Sequence, residues 1–280
     1  MPLTLMYITN NPYVASVADS CGVDRIWIDL ETLGKEVRQR GMDSVKSHHS
    51  ISDIVKVKSV LKNSDMLVRT NPINNDSACE IEKIINNGAD YVMLPMWKSL
   101  YDVKRFIECV GGRAKTVLLL ETKEAVECLD EVLDYGGFDE IHIGLNDLHL
   151  SYGLTFMFEL LSSGVVEKLC KKINKYSIPY GFGGIARLGG GMISAEKIVA
   201  EHYRLGSTRA ILSRSFCNAE NIGSHSELVD TFERGMTELR MFERSLSEYD
   251  ETRFLKNKSE LDECVKKVVE SIKRVKADAV

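Results

Sequence analysis

The sequence lacks the markers of several common classes of protein. Its seven cysteines include no Cys-x-x-Cys pair, so reduced, buried thiols are a better interpretation than a disulfide framework. No apolar run approaches the roughly 20 residues that span a bilayer, and the N-terminus lacks the basic start and apolar core of a signal peptide. No Gly-x-Gly-x-x-Gly follows the first predicted strand. We therefore predict a cytoplasmic protein that binds no membrane.

Charge is nearly balanced along the chain, which argues against a further class. Lys and Arg number 36 against 41 Asp and Glu, a formal net charge of −5, and the two signs are interspersed. No basic patch of the kind that binds nucleic acid stands out. With 280 residues and 44% hydrophobic content, the chain is long enough for one large α/β domain with a sizeable core.

Apolar runs alternate with amphipathic helical patterns along most of the chain. Eight such pairs predict a (β/α)8 TIM barrel, in which the sheet closes and leaves no free edge; a doubly wound open sheet is the alternative. The predicted strands are residues 3–9, 25–29, 66–69, 91–95, 117–120, 141–143, 179–185 and 209–213. We predict a barrel domain over residues 1–222 and a C-terminal helical extension over residues 223–280, which packs on the barrel or on a neighbouring subunit.

Two acidic residues follow neighbouring strands of this predicted barrel. Glu121 comes directly after the run VLLL, and Asp147 follows the run IHI after a short turn. Because parallel strands end on the same rim, the two carboxylates would suit one hard divalent cation. Each acid also has a simpler interpretation: Glu121 as a first-turn acid of the next helix, and Asp147 as the cap of its turn.

The other predicted strand ends are also polar, and barrel active sites lie on that rim. An arginine at a strand end suits a carboxylate, and a glycine stretch lets backbone N–H groups approach an anion. Barrel phosphate sites favour the loops after strands seven and eight, so we expect a distal phosphate or carboxylate of the substrate to bind there. The candidate substrate-binding residues are Asp29, Arg69, Asn146, Gly183, Gly184, Arg187, Ser213 and Arg214.

The segments LLETKEA, which contains Glu121, and IGLNDL, which contains Asp147, resemble the metal-binding core of the HpcH/HpaI aldolase and citrate lyase beta-chain family. The resemblance covers roughly residues 25–216. It implies Mg²⁺ or Mn²⁺ at these two carboxylates, a small 2-oxo acid substrate and a homo-oligomer. It further implies a class II aldolase type of carbon–carbon lyase, which cleaves or forms 4-hydroxy-2-oxo acids through a metal-bound pyruvate enolate. In the VRTNP segment, it implies that Arg69 meets the substrate carboxylate and the enolate oxygen.

The chain departs from that family at the end of the second strand. Family members commonly read I-D-x-E-H there, with the histidine implicated as acid/base, whereas this chain has Thr32 in that place. The catalytic role would pass to Glu31, His48, His49 or a metal-bound water, although either histidine could be an ordinary solvated imidazole. Two other functions therefore stay open: a citrate lyase-like or malyl-CoA lyase-like enzyme acting on acyl thioesters, and a non-catalytic ligand-binding barrel.

Overall fold

The structure, a computed structural model, describes residues 2–35 and 49–278. Its eight strands are parallel and form a closed barrel in chain order, with the last strand paired to the first. The strands are β1 Thr4–Ile8, β2 Arg25–Asp29, β3 Asp65–Arg69, β4 Tyr91–Leu94, β5 Lys115–Leu120, β6 Glu140–Ile143, β7 Tyr180–Ile185 and β8 Arg209–Leu212. The predicted (β/α)8 barrel is confirmed, and no predicted strand end is more than two residues from the observed one.

Helices surround the barrel and extend beyond its last strand. Within the described ranges they are α1 Pro12–Ser20, α2 Ile51–Lys58, α3 Ser77–Asn86, α4 Leu100–Val110, α5 Lys123–Glu127, α6 Leu129–Tyr135, α7 Leu145–Ser151, α8 Glu159–Ser162, α9 Val165–Asn174, α10 Ala195–Arg204, α11 His225–Ser245 and α12 Glu251–Asp278. The structure differs from the prediction after β6, where the expected polar turn is helix α7 and Asp147 lies in its first turn. Leu145 and Leu148 are buried on one side of that helix, which explains why a helix forms there.

Charged side chains close the N-terminal end of the barrel. Glu140 accepts hydrogen bonds from two nitrogens of Arg25, at 2.7 and 2.8 Å, and from Arg209 at 2.9 Å. Burial of the Glu140 carboxyl would raise its pKa, but the hydrogen bonds from the two arginines outweigh burial and lower the pKa to about 2. A buried carboxylate is tolerated here because neighbouring cations neutralise it.

Apolar side chains fill the middle of the barrel above this floor. They belong to Met6, Trp27, Leu67, Met93, Val117 and Leu119, all at most 2% exposed. Side chains alternate between the two faces of a strand, so residues two positions further along also point inward. Asp29, Arg69 and Glu121 follow Trp27, Leu67 and Leu119 in this way. The alternation therefore places these three polar side chains at the C-terminal rim.

The two C-terminal helices pack on the barrel of the same chain. In α11, Phe232 meets Tyr7 of β1 edge-to-face, with ring centroids 5.1 Å apart. In α12, Leu261 and Val265 are 0% and 2% exposed, and the helix contacts α8 and α10. This part of the predicted apolar stripe is covered within the chain. The domain boundary after residue 222 and the homo-oligomer stay predictions.

Two simpler features bear on the expectations from composition. All seven cysteines are free thiols, and Cys109, Cys170 and Cys217 are buried. In the part of the chain that the structure describes, no helix combines the length and the apolarity needed to cross a bilayer.

Candidate active site at the barrel rim

Glu121 directs its carboxylate into the mouth of the barrel from the end of β5. The residue is 2% exposed, and its Oε1 accepts a hydrogen bond from the Met96 N–H at 3.0 Å. Burial raises the pKa of Glu121 to about 8; the Arg69 guanidinium opposes this rise, whereas the negative charges of Asp147 and Glu31 add to it. A carboxylate in such surroundings would be stabilised in its ionised form by a bound cation.

Asp147 approaches the same region from the first turn of α7. It is 8% exposed, and the N-terminal end of a helix favours a negative charge at this position. Its charge acts on the Glu121 carboxyl, so the two side chains share one environment. Gly144, which precedes α7, places no side chain beside them. The structure thus brings together the two carboxylates predicted as metal ligands.

The Arg69 guanidinium is paired with acidic side chains at the end of β2. Its Nε and Nη2 donate to Asp29 Oδ1 and Oδ2 at 2.9 and 2.8 Å, and Nη2 lies 3.5 Å from Glu31 Oε2. Burial would lower the pKa of Arg69, but these carboxylates outweigh it and raise the pKa above its usual value. The guanidinium therefore stays charged at any physiological pH.

Asp29 is the acid that orients this arginine. Besides the two bonds from Arg69, its Oδ2 accepts a hydrogen bond from Lys35 Nζ at 2.6 Å. Burial would raise the pKa of Asp29, but Arg69 and Lys35 hold it well below its usual range. Both carboxylate oxygens are therefore engaged by protein cations. The predicted direct contact of Asp29 with substrate stays a prediction.

Four acidic side chains come together at this end of the barrel: Asp29, Glu31, Glu121 and Asp147. Among them, Asp29 is paired with Arg69 and Lys35, Glu31 lies near Arg69, and the charges of Glu31 and Asp147 both act on Glu121. Over residues 2–35 and 49–278, no three His, Cys, Asp or Glu side chains form a ready-made metal cage. Mg²⁺ does not require one, because it is typically held by one or two carboxylates together with water and substrate. The donor set therefore fits a hard divalent cation.

His49 lies against the backbone at the end of β2. Its Nδ1 accepts a hydrogen bond from the Asp29 N–H at 2.9 Å, so the neutral ring carries its proton on Nε2. Burial lowers the pKa of His49 and favours this neutral form. Thr32, at the position of the family histidine, is exposed and bonds to Asn71 Oδ1 at 3.2 Å. His48 lies outside the described residues.

The other predicted binding residues, which follow β6, β7 and β8, have varied surroundings. Gly183 has a φ of 51°, and an added Cβ would lie 2.7 Å from Leu145 Cδ1, so only glycine fits there. Arg187 Nε lies 3.8 Å from Glu238 Oε2, which directs this guanidinium toward α11. Asn146 and Arg214 are exposed, whereas Gly184 and Ser213 are partly buried.

Three contributors to the rim were not predicted. Lys35 lies in a polar tract where no signal distinguishes a buried lysine from an exposed one. Met96 contributes through its backbone N–H, which a motif of side chains cannot indicate. Gly144 belongs to the segment IGLNDL, and its contribution depends on the approach of Glu121, which only the closed barrel defines.

Fold and rim together define a (β/α)8 barrel with an acidic mouth, and barrel enzymes carry their active sites at this end. A sequence profile described as HpcH/HpaI aldolase/citrate lyase matches residues 3–159 of the chain. That match spans more than half of the sequence, and the chain belongs to this family of aldolases and lyases.

Solved structures resemble the chain over most of its length. An HpcH/HpaI aldolase from Desulfitobacterium hafniense DCB-2 is 16% identical, with a TM-score of 0.60 over 76% of this chain and 86% of that one. An HpcH/HpaI aldolase/citrate lyase family protein from Burkholderia cenocepacia J2315 is 12% identical, with a TM-score of 0.61 over 85% and 95%. A variant of the citrate synthase SbnG is 14% identical, with a TM-score of 0.55 over 75% and 86%. At these identities the likeness shows the fold alone. No curated protein matches the sequence.

Proposed function

We propose that the chain is a divalent-metal-dependent carbon–carbon lyase that cleaves or forms 4-hydroxy-2-oxo acids. The observation that carries this proposal is that the buried carboxylates of Glu121 and Asp147 lie in one electrostatic environment at the rim, where the charge of Asp147 acts on Glu121. These two carboxylates would hold Mg²⁺ or Mn²⁺. The cation would supply Lewis-acid chemistry by polarising the keto group of the substrate.

Arg69 would bind the 2-oxo acid and share the negative charge that develops as the bond between carbons 3 and 4 breaks. Its Nε and Nη2 are committed to Asp29, whereas Nη1 has no hydrogen bond to any described residue and is the nitrogen available to substrate. Asp29 fixes the plane of the guanidinium before substrate arrives. A preorganised donor of this kind is worth about 3 kcal/mol in the transition state.

Glu31 would accept the proton of the 4-hydroxyl group during cleavage. It continues the inward alternation of β2 beyond Asp29, is 1% exposed and lies 3.5 Å from Arg69 Nη2. The electron pair of the broken bond then enters the pyruvate unit, and carbon 4 leaves as an aldehyde carbonyl. His49 is less suited to this step, since its Nδ1 is occupied by the Asp29 N–H and its Nε2 already carries a proton. We assign His49 to holding the end of β2.

Exchange of the methyl protons of pyruvate with deuterated solvent tests this proposal, because enolate formation needs no aldehyde. We expect exchange with Mg²⁺ in the wild type and its loss in Glu121→Gln and Asp147→Asn. Glu127→Gln, an exposed glutamate, is the matched control and should exchange normally. No exchange of pyruvate or any other 2-oxo acid by the wild type would favour a ligand-binding barrel.

The proton acceptor is tested separately by retro-aldol turnover of 4-hydroxy-2-oxo acids. Glu31→Gln should lower kcat by 10²-fold or more while leaving Mn²⁺ affinity within a few-fold, in the range typical of general bases. His49→Gln should lower kcat less than Glu31→Gln. The reverse order would transfer the role to His49.

A further inference from the structure

The Glu121 carboxylate is held from the β4 side by a backbone in an unusual conformation. Met96 has a φ of 51°, a left-handed value that it shares only with Ser177 among the non-glycine residues the structure describes. Such values are uncommon outside glycine, Asn and Asp. In this conformation the Met96 N–H reaches Glu121 Oε1 at 3.0 Å. The strained residue therefore contributes a donor to a buried carboxylate.

A second contact, made by Thr122, holds this turn against the end of β5. The Thr122 hydroxyl donates to the Trp97 carbonyl at 2.8 Å and accepts from the Ala125 N–H at 3.1 Å. The residue after Met96 is thus fastened to the residue after Glu121. Trp97 and Thr122 are 1% and 2% exposed, so the link is shielded from water. Separation of the two strand ends would therefore break the Thr122–Trp97 bond as well as the bond from Met96 to Glu121.

On the β6 side, Gly144 is in contact with the other carboxylate oxygen. A Cβ added at Gly144 would lie 2.9 Å from both Cβ and Oε2 of Glu121. The backbone at this position, with φ −80°, does not itself require glycine. Glycine at this position therefore provides room for the Glu121 side chain and is not needed for the backbone conformation of the turn. Within the described chain, Oε2 accepts no hydrogen bond, in contrast to Oε1.

We propose that Met96 and Gly144 are positioning residues that give the Glu121 carboxylate one orientation, with Oε1 committed to the protein and Oε2 left as the oxygen for a cation. This inference rests on the proposed function, since it assumes that Glu121 binds the metal. Groups that orient a metal ligand typically change metal affinity 10- to 100-fold when removed. Substitution at either residue should therefore weaken metal binding by at least 10-fold.

The first test compares Gly144→Ala with Gly223→Ala by titration with Mn²⁺, using electron paramagnetic resonance to count the free ion. Gly223 has open space around it and no left-handed φ, so an added methyl meets nothing there. We expect at least 10-fold weaker Mn²⁺ binding in Gly144→Ala and wild-type binding in Gly223→Ala. A substitution at Met96 tests the same carboxylate from the opposite side, so the inference stays testable even where Gly144→Ala folds poorly.

The second test compares Met96→Val with Ser177→Val. Both substitutions place a β-branched residue at a left-handed φ, 51° and 56° respectively, and both should lower the melting temperature. Only Met96→Val should weaken Mn²⁺ binding. Equal affinity in wild type, Gly144→Ala and Met96→Val would overturn the positioning role while leaving the lyase intact. A wild type that binds no Mn²⁺ would overturn the proposed function as well, so the two failures are distinguishable.

Discussion

Replacement of Glu121 by glutamine separates the cost of a buried charge from the effect of a bound cation. Burial raises the pKa of Glu121 from 4.5 to about 8 in the folded protein. Between these values the folded, metal-free protein binds more protons than the unfolded chain, so its stability falls as the pH rises. This contribution is fully present below the unfolded pKa and is lost as the pH rises through the folded one. Glutamine keeps the shape of the side chain and an oxygen for Met96, but it cannot ionise.

The pKa shift sets the size of the effect. Between pH 5 and pH 9 it corresponds to about 4 kcal/mol in the free energy of unfolding, or roughly 10 °C in Tm. With a chelator present, Glu121→Gln should match the wild type at pH 5 and exceed its stability by about this amount at pH 9. With Mg²⁺ added at pH 9, the wild type should become more stable than Glu121→Gln, because only the wild type retains both carboxylates as ligands.

Urea unfolding followed by circular dichroism, in EDTA and in MgCl2, measures these differences. Glu127→Gln is the control, since Glu127 is exposed and its Oε1 lies 3.9 Å from Lys123 Nζ; MgCl2 should stabilise this variant as much as it stabilises the wild type. A constant difference between wild type and Glu121→Gln from pH 5 to pH 9 would refute the argument from burial. Equal stabilisation of both proteins by Mg²⁺ would refute the assignment of Glu121 as a ligand.

Three further predictions concern Glu140 at the N-terminal end of the barrel, Asp29 beside Arg69, and helix α12. Glu140→Gln should lower the free energy of unfolding at pH 7 by about 3 kcal/mol, because it removes the charge that pairs with the buried Arg25 and the half-buried Arg209. Because the pKa of Glu140 is lowered to about 2, its contribution to stability is present above the unfolded pKa of 4.5 and is lost as the pH falls. The difference in urea midpoint between wild type and Glu140→Gln should therefore be smaller at pH 3 than at pH 7. An equal difference at both pH values would contradict this prediction. Asp29→Asn should reduce the rate of pyruvate exchange at least 10-fold and leave Mn²⁺ affinity within about 3-fold, as expected of a group that orients Arg69. If exchange rate and Mn²⁺ affinity fell by equal factors, Asp29 would instead be assigned to the metal site. Leu261→Ala should cost about 2–5 kcal/mol at any protein concentration, because the side chain is covered within its own chain; a concentration-dependent cost would indicate burial by a neighbouring subunit.

The sequence predicted the fold more fully than the site. Strand and helix periodicity located all eight strands, because most of them are short, predominantly apolar runs bounded by polar residues or glycine. The same pattern did not predict the ion pair at the N-terminal end of the barrel, because Arg25 and Glu140 are the first residues of their strands and resemble solvent-exposed strand ends. Only closure of the sheet reveals that two residues 115 positions apart form an ion pair. Helix α7 was missed for a related reason, because a seven-residue helix offers too few turns for its period to stand out.

The two buried glutamates of the barrel show how a structural acid differs from a functional one. Glu140 and Glu121 are both inward-facing residues of neighbouring strands, yet the pKa of one is lowered to about 2 and that of the other is raised to about 8. Burial acts in the same direction on both, so the difference lies in the neighbours. Glu140 is neutralised by Arg25 and Arg209, whereas among the described residues the charges of Asp147 and Glu31 add to the effect of burial on Glu121 and the Arg69 guanidinium does not outweigh them. A fold under no constraint other than stability would pair or remove such a charge. The rim retains it, which agrees with the proposed role of Glu121 as a ligand of a divalent cation.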